Sequence, residues 1–322
     1  MTIDSGTNPT TFGASSTSSA VYLGADTAGG ATGNIDINAG SLTWAGTVNA
    51  RTTGDLTIDS GSSQSFASGV TIASNLSLAE VSNVRIGTAG TSAASQNTAN
   101  VTLAGALASA GNIRVYGGDI AANANVTGNG LDGQILLKAT GSISQAVSTA
   151  LRTNSGKIVL WSDANADSDG AIQLHHNNDV CSGFTTSCQN SGGADIVFAG
   201  GTTFETKPNT YDLNRTMPTG FASGWGASTY YNYTGSLYYG NGRTSGIYLG
   251  HGYNGFNVRV KSSGGDIRMY GKSTNNSGYS AGFGSGAHAM GIFSGGTGVG
   301  GGIFADGGTI DLLGRCDAPA GT

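Results

Sequence analysis

The chain has few charged residues, few prolines and no long apolar run. Charged residues make up 10% of its 322 positions, against about 25% in ordinary soluble domains. Only two of the 19 acidic residues are glutamate, and since glutamate and lysine favour helices, we expect almost no helix. No apolar stretch approaches the ~18 residues that a membrane-spanning helix needs, so we predict no membrane-spanning segment. The net charge of −5 and the lack of a basic run argue against nucleic acid as a partner.

What the chain has instead is glycine and a short repeated motif. Glycine accounts for 56 residues and proline for 4, a balance that fits neither collagen nor a proline-rich disordered tract. In the motif, a glycine and a polar residue precede two apolar residues that flank one further position. The clearest copies are Gly33–Ile37, Gly54–Ile58, Gly111–Val115, Gly133–Leu137, Gly156–Leu160, Gly170–Leu174, Gly265–Met269 and Gly308–Leu312.

The alternation and spacing of this motif predict the fold. Alternating apolar residues make a half-buried strand, and the motif glycines at 33 and 54, 111 and 133, and 133 and 156 lie 21 to 23 residues apart. A short strand that returns at such intervals must stack on its own copies. Two or three strands per turn of ~20–25 residues is typical of a parallel β-helix, or β-solenoid. Stacking also explains the low charge, because like charges in neighbouring turns would lie ~4.8 Å apart and repel.

The regularity of the pattern changes twice along the chain. Residues 1–201 carry the regular β-helix pattern, and between 202 and 245 the pattern loosens while tyrosines accumulate. From 246 to 322 the pattern returns, with longer glycine-rich corners. We therefore predict an all-β solenoid with a tyrosine-rich insertion at 202–245.

One stretch of repeats resembles a known family. The runs Ile135–Ile143 and Thr153–Asp163, followed by an Asp/Asn loop and Gly170–Ile172, are similar to repeats of very large bacterial surface exoproteins related to filamentous haemagglutinin. Proteins of that family are exported by two-partner secretion, and the likeness is specific over about residues 110–175 and 244–314. It implies a right-handed parallel β-helix, an extracellular location and an adhesive or structural role. The family's secretion-signal domain is not visible here.

The first residues of the chain already belong to a repeat. Thr2–Gly6 recurs letter for letter as Thr57–Gly61, and the last residues follow directly on a strand motif. We therefore expect the chain to be an internal fragment of a longer surface protein.

The aromatic residues of the insertion are the first candidate site. They could pack on the insertion itself, form a lateral interface with another chain, or stack on sugar rings in a carbohydrate-binding β-helix module that uses the aromatic cluster at 211–253. The candidates are Tyr211, Trp225, Tyr230, Tyr231, Tyr233, Tyr238 and Tyr239.

An acidic loop is the second candidate site. Asp163, Asn165, Asp167 and Asp169 alternate before Gly170, and Ca²⁺ prefers such oxygen ligands on a tightly curved backbone. The bidentate glutamate that would complete an EF-hand is absent. The alternative is a solvated corner whose Asp and Asn side chains cap backbone groups. We predict no cofactor other than this structural calcium.

The chain has three cysteines, two of them close together. Cys181 and Cys188 lie in a stretch rich in Gly, Ser and Thr, and we predict a loop-closing disulfide, with two free thiols as the alternative. Cys316 has no evident partner in the sequence.

No arrangement of residues indicates catalysis. The aspartates are spread along the repeats, and no Ser-His-Asp or Cys-His constellation has a recognisable spacing, so a polysaccharide lyase or hydrolase is the least favoured reading. We predict a non-enzymatic, rod-like scaffold of an extracellular adhesin or surface fibre. Its expected partners are copies or neighbouring repeats of itself, and a host or environmental surface or glycan.

Overall fold

The computed structural model describes an all-β chain, as predicted. Its described residues form strands, turns and bends with no helix, and hence no helix that could cross a membrane. The described residues are 1–5, 8–12, 20–24, 34–38, 41–44, 47–51, 56–59, 70–72, 76–78, 84–87, 100–109, 111–129, 133–188, 191–206, 216–224, 230–231, 237–238, 246–250, 258–273, 292–294 and 301–316.

The strands are short, mostly three to five residues long. In the first two thirds of the chain they are β1 (Thr2–Asp4), β2 (Pro9–Phe12), β3 (Ala20–Gly24), β4 (Ile35–Asn38), β5 (Ser41–Trp44), β6 (Thr47–Arg51), β7 (Leu56–Asp59), β8 (Val70–Ile72), β9 (Leu76–Leu78), β10 (Val84–Ile86), β11 (Val101–Leu103), β12 (Leu107–Ser109), β13 (Ile113–Gly117), β14 (Ile120–Ala122), β15 (Val126–Gly128), β16 (Ile135–Ala139), β17 (Ile143–Gln145), β18 (Ala150–Thr153), β19 (Ile158–Ser162), β20 (Ile172–Leu174), β21 (Asp179–Ser182) and β22 (Ile196–Thr206). The remaining strands are β23 (Thr216–Gly220), β24 (Ala222–Gly224), β25 (Tyr230–Tyr231), β26 (Leu237–Tyr238), β27 (Ile247–Leu249), β28 (Arg259–Lys261), β29 (Ile267–Ser273), β30 (Ile292–Ser294), β31 (Gly302–Phe304) and β32 (Ile310–Cys316).

Three parallel sheets hold nearly all of these strands, and the chain visits the sheets in turn. The first sheet runs β1-β4-β7-β10-β13-β16-β19-β22-β29, with β32 also paired to β29. The second runs β2-β5-β8-β11-β14-β17-β20-β27-β30, and the third runs β3-β6-β9-β12-β15-β18-β21-β28-β31. Each sheet therefore takes every third strand up to β22, and the same cyclic order resumes at β27. We call three consecutive strands, one in each sheet, a rung.

Equivalent apolar residues of successive rungs lie directly opposite each other and form columns in the interior. The residues of these columns are almost completely buried. Removing their apolar surface from water is the driving force for stacking such short strands. One column of the first sheet contains Ile35, Leu56, Val84, Ile113, Ile135, Ile158, Ile196 and Ile267. The next contains Ile37, Ile58, Ile86, Val115, Leu137, Leu160, Phe198 and Met269.

Motif glycines also stack on one another at the corner before several strands of the first sheet. A Cβ atom at Gly156 would collide with the carbonyl oxygen of Gly133, and one at Gly308 would collide with that of Gly265. None of these four glycines has the positive φ that would itself require glycine. The repeated glycine is therefore needed mainly because successive rungs approach closely, rather than for an unusual backbone conformation.

Side chains at the corners satisfy backbone groups of the following rung. The amide oxygen of Asn112 accepts a hydrogen bond of 3.0 Å from the N–H of Gln134, and that of Asn125 accepts one of 2.8 Å from Ala150. Asp266 accepts from the N–H of Thr309 in the same way. In each of these bonds the side-chain acceptor belongs to one rung and the N–H donor to the next rung along the chain.

A column of hydroxyl side chains faces inward at the corner between the third and first sheets. Ser109, Thr153, Ser182 and Ser262 are buried there, and each hydroxyl bonds to nearby backbone. Since a buried backbone group without a partner is costly, these hydroxyls stabilise the turn that each rung makes at this corner.

Candidate functional site

The first sheet carries a β-hairpin that departs from one of its rungs. β22 is the longest strand, and beyond Phe198 it turns away from β29 and pairs antiparallel with β23. Gly201 lies near this departure with φ of +73°, a left-handed value that favours glycine. β24 then returns to the sheet, with Ala222 opposite Gly271. We call the second half of β22 together with β23 the hairpin. The insertion predicted at 202–245 begins within the hairpin and ends shortly before β27.

The base of the hairpin is tied to the loop that follows β19. The indole Nε1 of Trp161 donates a hydrogen bond of 2.8 Å to the carbonyl oxygen of Gly201. The N–H of Gly201 donates one of 3.0 Å to the carbonyl oxygen of Asp163. Gly170 and Ser223 also exchange two backbone hydrogen bonds of 2.9 Å. These bonds tie the β22 side of the hairpin, and the strand β24 that follows it, to β19 and the loop after β19.

Behind the hairpin lies a second apolar cluster on the outer face of the first sheet. Val159 and Trp161 alternate with the interior residues of β19, so their side chains point outward, and yet they are buried. Met217 of β23 belongs to the same cluster, so the hairpin itself supplies part of the cover. The members are Val159, Trp161, Ala164, Val197, Ala199 and Met217, with Leu136 and Tyr270 packed against them.

The side of the hairpin toward β16 presents an aromatic pair and a lysine. The Lys138 ammonium lies 4.2 Å from the centroid of the Trp161 ring, and burial lowers the pKa of Lys138. The ring of Phe204 lies 6.3 Å from that of Trp161 and is 56% exposed. This cation–π interaction is favourable, so Lys138 stabilises the position of the Trp161 ring on the outer face of the sheet.

The side of the hairpin toward β32 presents a second group of rings and charges, which we call the ledge. The rings of Phe221 and Tyr270 lie 6.1 Å apart. The guanidinium of Arg268 is 5.6 Å from the Tyr270 ring centroid, and that of Arg315 is 6.0 Å from the Phe221 centroid. The ledge comprises Phe221, the outward residues Arg268, Tyr270 and Lys272 of β29, and the outward residues Asp311, Leu313 and Arg315 of β32.

Strand register arranges the ledge in three rows. Arg268 lies opposite Asp311, Tyr270 opposite Leu313, and Lys272 opposite Arg315. The Tyr270 hydroxyl donates a hydrogen bond to the Asp311 carboxylate, and Leu313 is 48% exposed. The ledge therefore brings two aromatic rings and three cationic side chains together on the outer face of the first sheet.

A buried carboxyl group lies beneath the base of the hairpin. Asp163 is 1% exposed, and its carboxylate accepts hydrogen bonds from the Ser223 hydroxyl and from the N–H of Ser168. Burial raises the pKa of Asp163 to about 6, although those two donors and the charge of Lys272 act in the opposite direction. Lys272 also donates a hydrogen bond of 3.3 Å to the Ser168 hydroxyl. Asp163 therefore links the loop after β19 to β24.

The other acidic residues of that loop bond within it. Asn165 Nδ2 donates to Asp167 Oδ2 at 2.7 Å, and the N–H of Asp169 donates to Asp167 Oδ1 at 3.0 Å. Within the described ranges, no three His, Cys, Asp or Glu side chains are grouped so as to hold a metal ion. The bonds within the loop are those expected of the alternative, a self-capping corner, and the calcium site at Asp163, Asn165, Asp167 and Asp169 stays a prediction.

The aromatic candidates of the insertion are only partly described. Tyr230 and Tyr231 form β25 and Tyr238 lies in β26, and these two strands pair antiparallel, with Tyr230 opposite Tyr238. The remaining candidates lie outside the described residues and stay predictions: Tyr211, Trp225, Tyr233 and Tyr239.

The cysteine pair lies at the end of the third sheet's β21. Cys181 and Cys188 are joined by a disulfide with their Cα atoms 6.1 Å apart. The loop between them places the ring of Phe184 4.4 Å from the guanidinium of Arg152. Arg152 in turn forms a salt bridge of 3.1 Å with Asp179.

The ledge was not among the sites predicted from the sequence. Its signal was present in the motif Ile267-Arg268-Met269-Tyr270-Gly271, which repeats Ile113-Arg114-Val115-Tyr116-Gly117 and places Arg and Tyr at outward positions. What distinguishes the later copy is its neighbours, Phe221 and β32, and their proximity depends on the hairpin. Comparison with known proteins adds no assignment, because no family model, curated protein or solved structure matches the chain.

Proposed function

We propose that this chain is a segment of a right-handed parallel β-helix that serves as a rod-like structural or adhesive scaffold in a large extracellular bacterial surface protein or fibre. The observation that carries the proposal is the cyclic order of strands, in which every third strand joins the same parallel sheet in register. Ten strands succeed one another in the first sheet, which at ~4.8 Å per step corresponds to a length of about 43 Å.

Two further features support an extracellular scaffold. A disulfide is typical of proteins in oxidising compartments, and one joins Cys181 to Cys188. The repeats also resemble those of exoproteins related to filamentous haemagglutinin, for which two-partner secretion is the export route. On this proposal, export by that route extends to the present chain.

The proposed role is mechanical rather than catalytic. Three carboxylates support this proposal, because each accepts a hydrogen bond from the backbone of the following rung. They are those of Asp119, Asp195 and Asp266. Side chains committed to joining rungs share a stretching load along the axis, because each rung is held by its neighbour's backbone and side chains together.

The interior columns also support association of the scaffold with further repeats. Ile310 and Leu312 continue the columns of Ile267 and Met269, and they are 45% and 47% exposed. Another strand of the same kind, from a neighbouring repeat or a second copy, would remove this apolar surface from water.

Electron microscopy and surface labelling test the proposal together. The purified chain should appear as short rods by negative staining, and its far-UV circular dichroism should show β-structure. An antibody raised against it should label intact, unpermeabilised cells of the organism that makes the protein. Compact globular particles would contradict the architecture, and label seen only after permeabilisation would contradict the surface role.

A further inference from the structure

A buried amide interrupts one of the interior columns of the second sheet. Gln145 of β17 occupies the column position that Ala122 holds in the strand before it and Leu174 in the strand after it. Leu249 of β27 continues the column. The side chain of Gln145 is 1% exposed, so its amide group lies inside the rod rather than at its surface. A polar group in the interior is costly unless it is hydrogen-bonded.

A second buried amide lies at the corner between the second and third sheets. Asn178 precedes β21 and is 2% exposed, and Thr149 holds the equivalent position before β18. Gln145 Nε2 donates a hydrogen bond of 2.8 Å to the carbonyl oxygen of Thr149, and Asn178 Nδ2 donates one of 3.2 Å to the same oxygen. The two amide groups therefore meet at one backbone acceptor. We call Gln145, Thr149 and Asn178 the polar corner.

Two oxygen atoms of the polar corner remain without a hydrogen bond. Asn178 Nδ2 also donates to the carbonyl oxygen of Ala146 and to the Thr149 hydroxyl, and that hydroxyl donates to Ala146. Gln145 Oε1 and Asn178 Oδ1, in contrast, are buried and accept no hydrogen bond from any residue that the structure describes. A buried acceptor without a donor costs stability, so a ligand that donates to both oxygens would bind favourably.

The chemistry of the polar corner favours water over a metal cation as this ligand. A hard cation such as Ca²⁺ requires six to eight oxygen ligands, and burying its charge beside neutral amides is costly. The N–H groups of Gln145 and Asn178 would also repel a cation. A water molecule donates two hydrogen bonds, and buried waters typically bond to about three polar groups that are otherwise unsatisfied.

The composition of the column suits a small ligand at this level. Ala122 lies opposite Gln145, whereas Leu103 of the strand before Ala122 has a side chain with three more carbon atoms. Leu174 on the other side of Gln145 is equally large. This column therefore carries least side-chain volume next to the buried amide, and one water takes up only about 30 Å³.

We propose that the polar corner binds an ordered water molecule inside the rod, and that this water donates hydrogen bonds to Gln145 Oε1 and Asn178 Oδ1. Gln145 belongs to the rung of β17 and β18, and Asn178 directly precedes β21 of the next rung. The water thus joins two successive rungs from within, in addition to the side-chain bonds at the outer corners.

A crystal structure of the full chain, grown in rubidium chloride, tests the ligand directly. Electron density should lie within about 3 Å of both oxygens, as expected for hydrogen-bonded water, and should lack the anomalous signal of rubidium. Absence of density there, two separate waters on the two oxygens, or a rubidium peak would each overturn the proposal.

Paired substitutions test the same site in solution. Gln145→Leu and Asn178→Val introduce the residues that the next rung has at these positions, Leu174 and Val258. Each single variant leaves the water with one acceptor and should raise the equilibrium constant of unfolding about tenfold. The double variant removes both amides together, and its constant should return to within about threefold of the wild type.

The recovery in the double variant distinguishes a shared ligand from two independent contacts. The Thr149 carbonyl oxygen keeps a hydrogen bond of 3.1 Å from the N–H of Asp179 in every variant, so its backbone stays satisfied. Gln173→Leu is the matched control, because Gln173 is a half-buried amide at the outward position of β20. Its effect should simply add to that of Asn178→Val. Additive losses for Gln145→Leu and Asn178→Val would overturn the proposal, whereas the scaffold function proposed above does not depend on this site.

Discussion

The rungs from β11 to β18 and the part of the first sheet from β19 to β32 are built on the same interior and differ on the outside. In β16 of the first sheet half-exposed residues alternate with buried ones, whereas all five residues of β19, the next strand of that sheet, are buried. The interior columns run unchanged through both regions, from Val115 to Leu160 and Met269. The outward residues alone convert a solvated face into one that receives a hairpin. Fold and surface function are therefore encoded at alternating positions of the same strands.

The largest expected effect comes from truncating, one at a time, two adjacent leucines of β16 that face opposite sides of the sheet. Leu137→Ala should lower the free energy of unfolding by about 3 kcal/mol, because it opens a cavity in an interior column. Leu136→Ala should cost about 1 kcal/mol or less, because Leu136 faces outward and is only partly buried. Urea unfolding followed by circular dichroism measures both. Equal losses would mean that the inward and outward faces are not distinct in the way described.

The second effect is a pH dependence of the free energy of unfolding that arises from Asp163, in the loop after β19. Because the pKa of Asp163 rises from 3.8 to about 6 on folding, the folded chain holds this proton more tightly than the unfolded chain. Its contribution to stability is therefore full at low pH and is lost as the pH rises through 6. Relative to Asp163→Asn, the wild type should lose on the order of 2 kcal/mol between pH 4 and pH 8.

Unfolding of both proteins at the two pH values measures this difference, and parallel curves would contradict it. Ser223→Ala gives a second check by carbon-detected titration of the carboxyl group. The Ser223 hydroxyl lowers the pKa of Asp163, so its removal should raise that pKa further.

The smallest effect is local and separates the hairpin from the rungs beneath it. Trp161→Phe keeps an aromatic ring but removes the hydrogen bond to the Gly201 carbonyl oxygen, at a cost of about 1 kcal/mol. Amide hydrogen exchange should accelerate in the hairpin while remaining unchanged in β13, where the interior columns are intact. Uniform acceleration across both regions would show that the hairpin is part of the same cooperative unit.

The interior of the fold could be predicted from the sequence because its signal is local. Ile113 and Val115, or Ile158 and Leu160, are readable as strand pairs from alternation alone, and the structure confirms an all-β chain of parallel strands in stacked sheets. The spacing of the motif glycines also gave the right partners, since the strands that follow Gly111, Gly133 and Gly156 lie next to one another.

Features that depend on distant segments could not be predicted in this way. Asp163 was grouped with its acidic neighbours by spacing, but its main side-chain partner is Ser223, 60 residues later. The inward hydroxyls such as Ser182 look like polar loop residues in the sequence, and only the corner geometry shows that they bond to backbone. The ledge likewise exists because β24 returns to the sheet and brings Phe221 beside Tyr270.

The corner bonds from Asn112, Asn125 and Asp266 give the molecule a polarity. At these corners a side-chain oxygen of one rung accepts from an N–H of its successor. The backbone bonds between rungs run in both directions, since the N–H of Ile113 donates to the Gln134 carbonyl oxygen and the N–H of Thr140 donates to that of Gly117. Segments joined at the stacked glycines would therefore keep these side-chain hydrogen bonds only when both segments run in the same direction along the axis. A designer could lengthen the protein by duplicating the unit from Gly111 to Asp132 in that orientation, without altering any side chain.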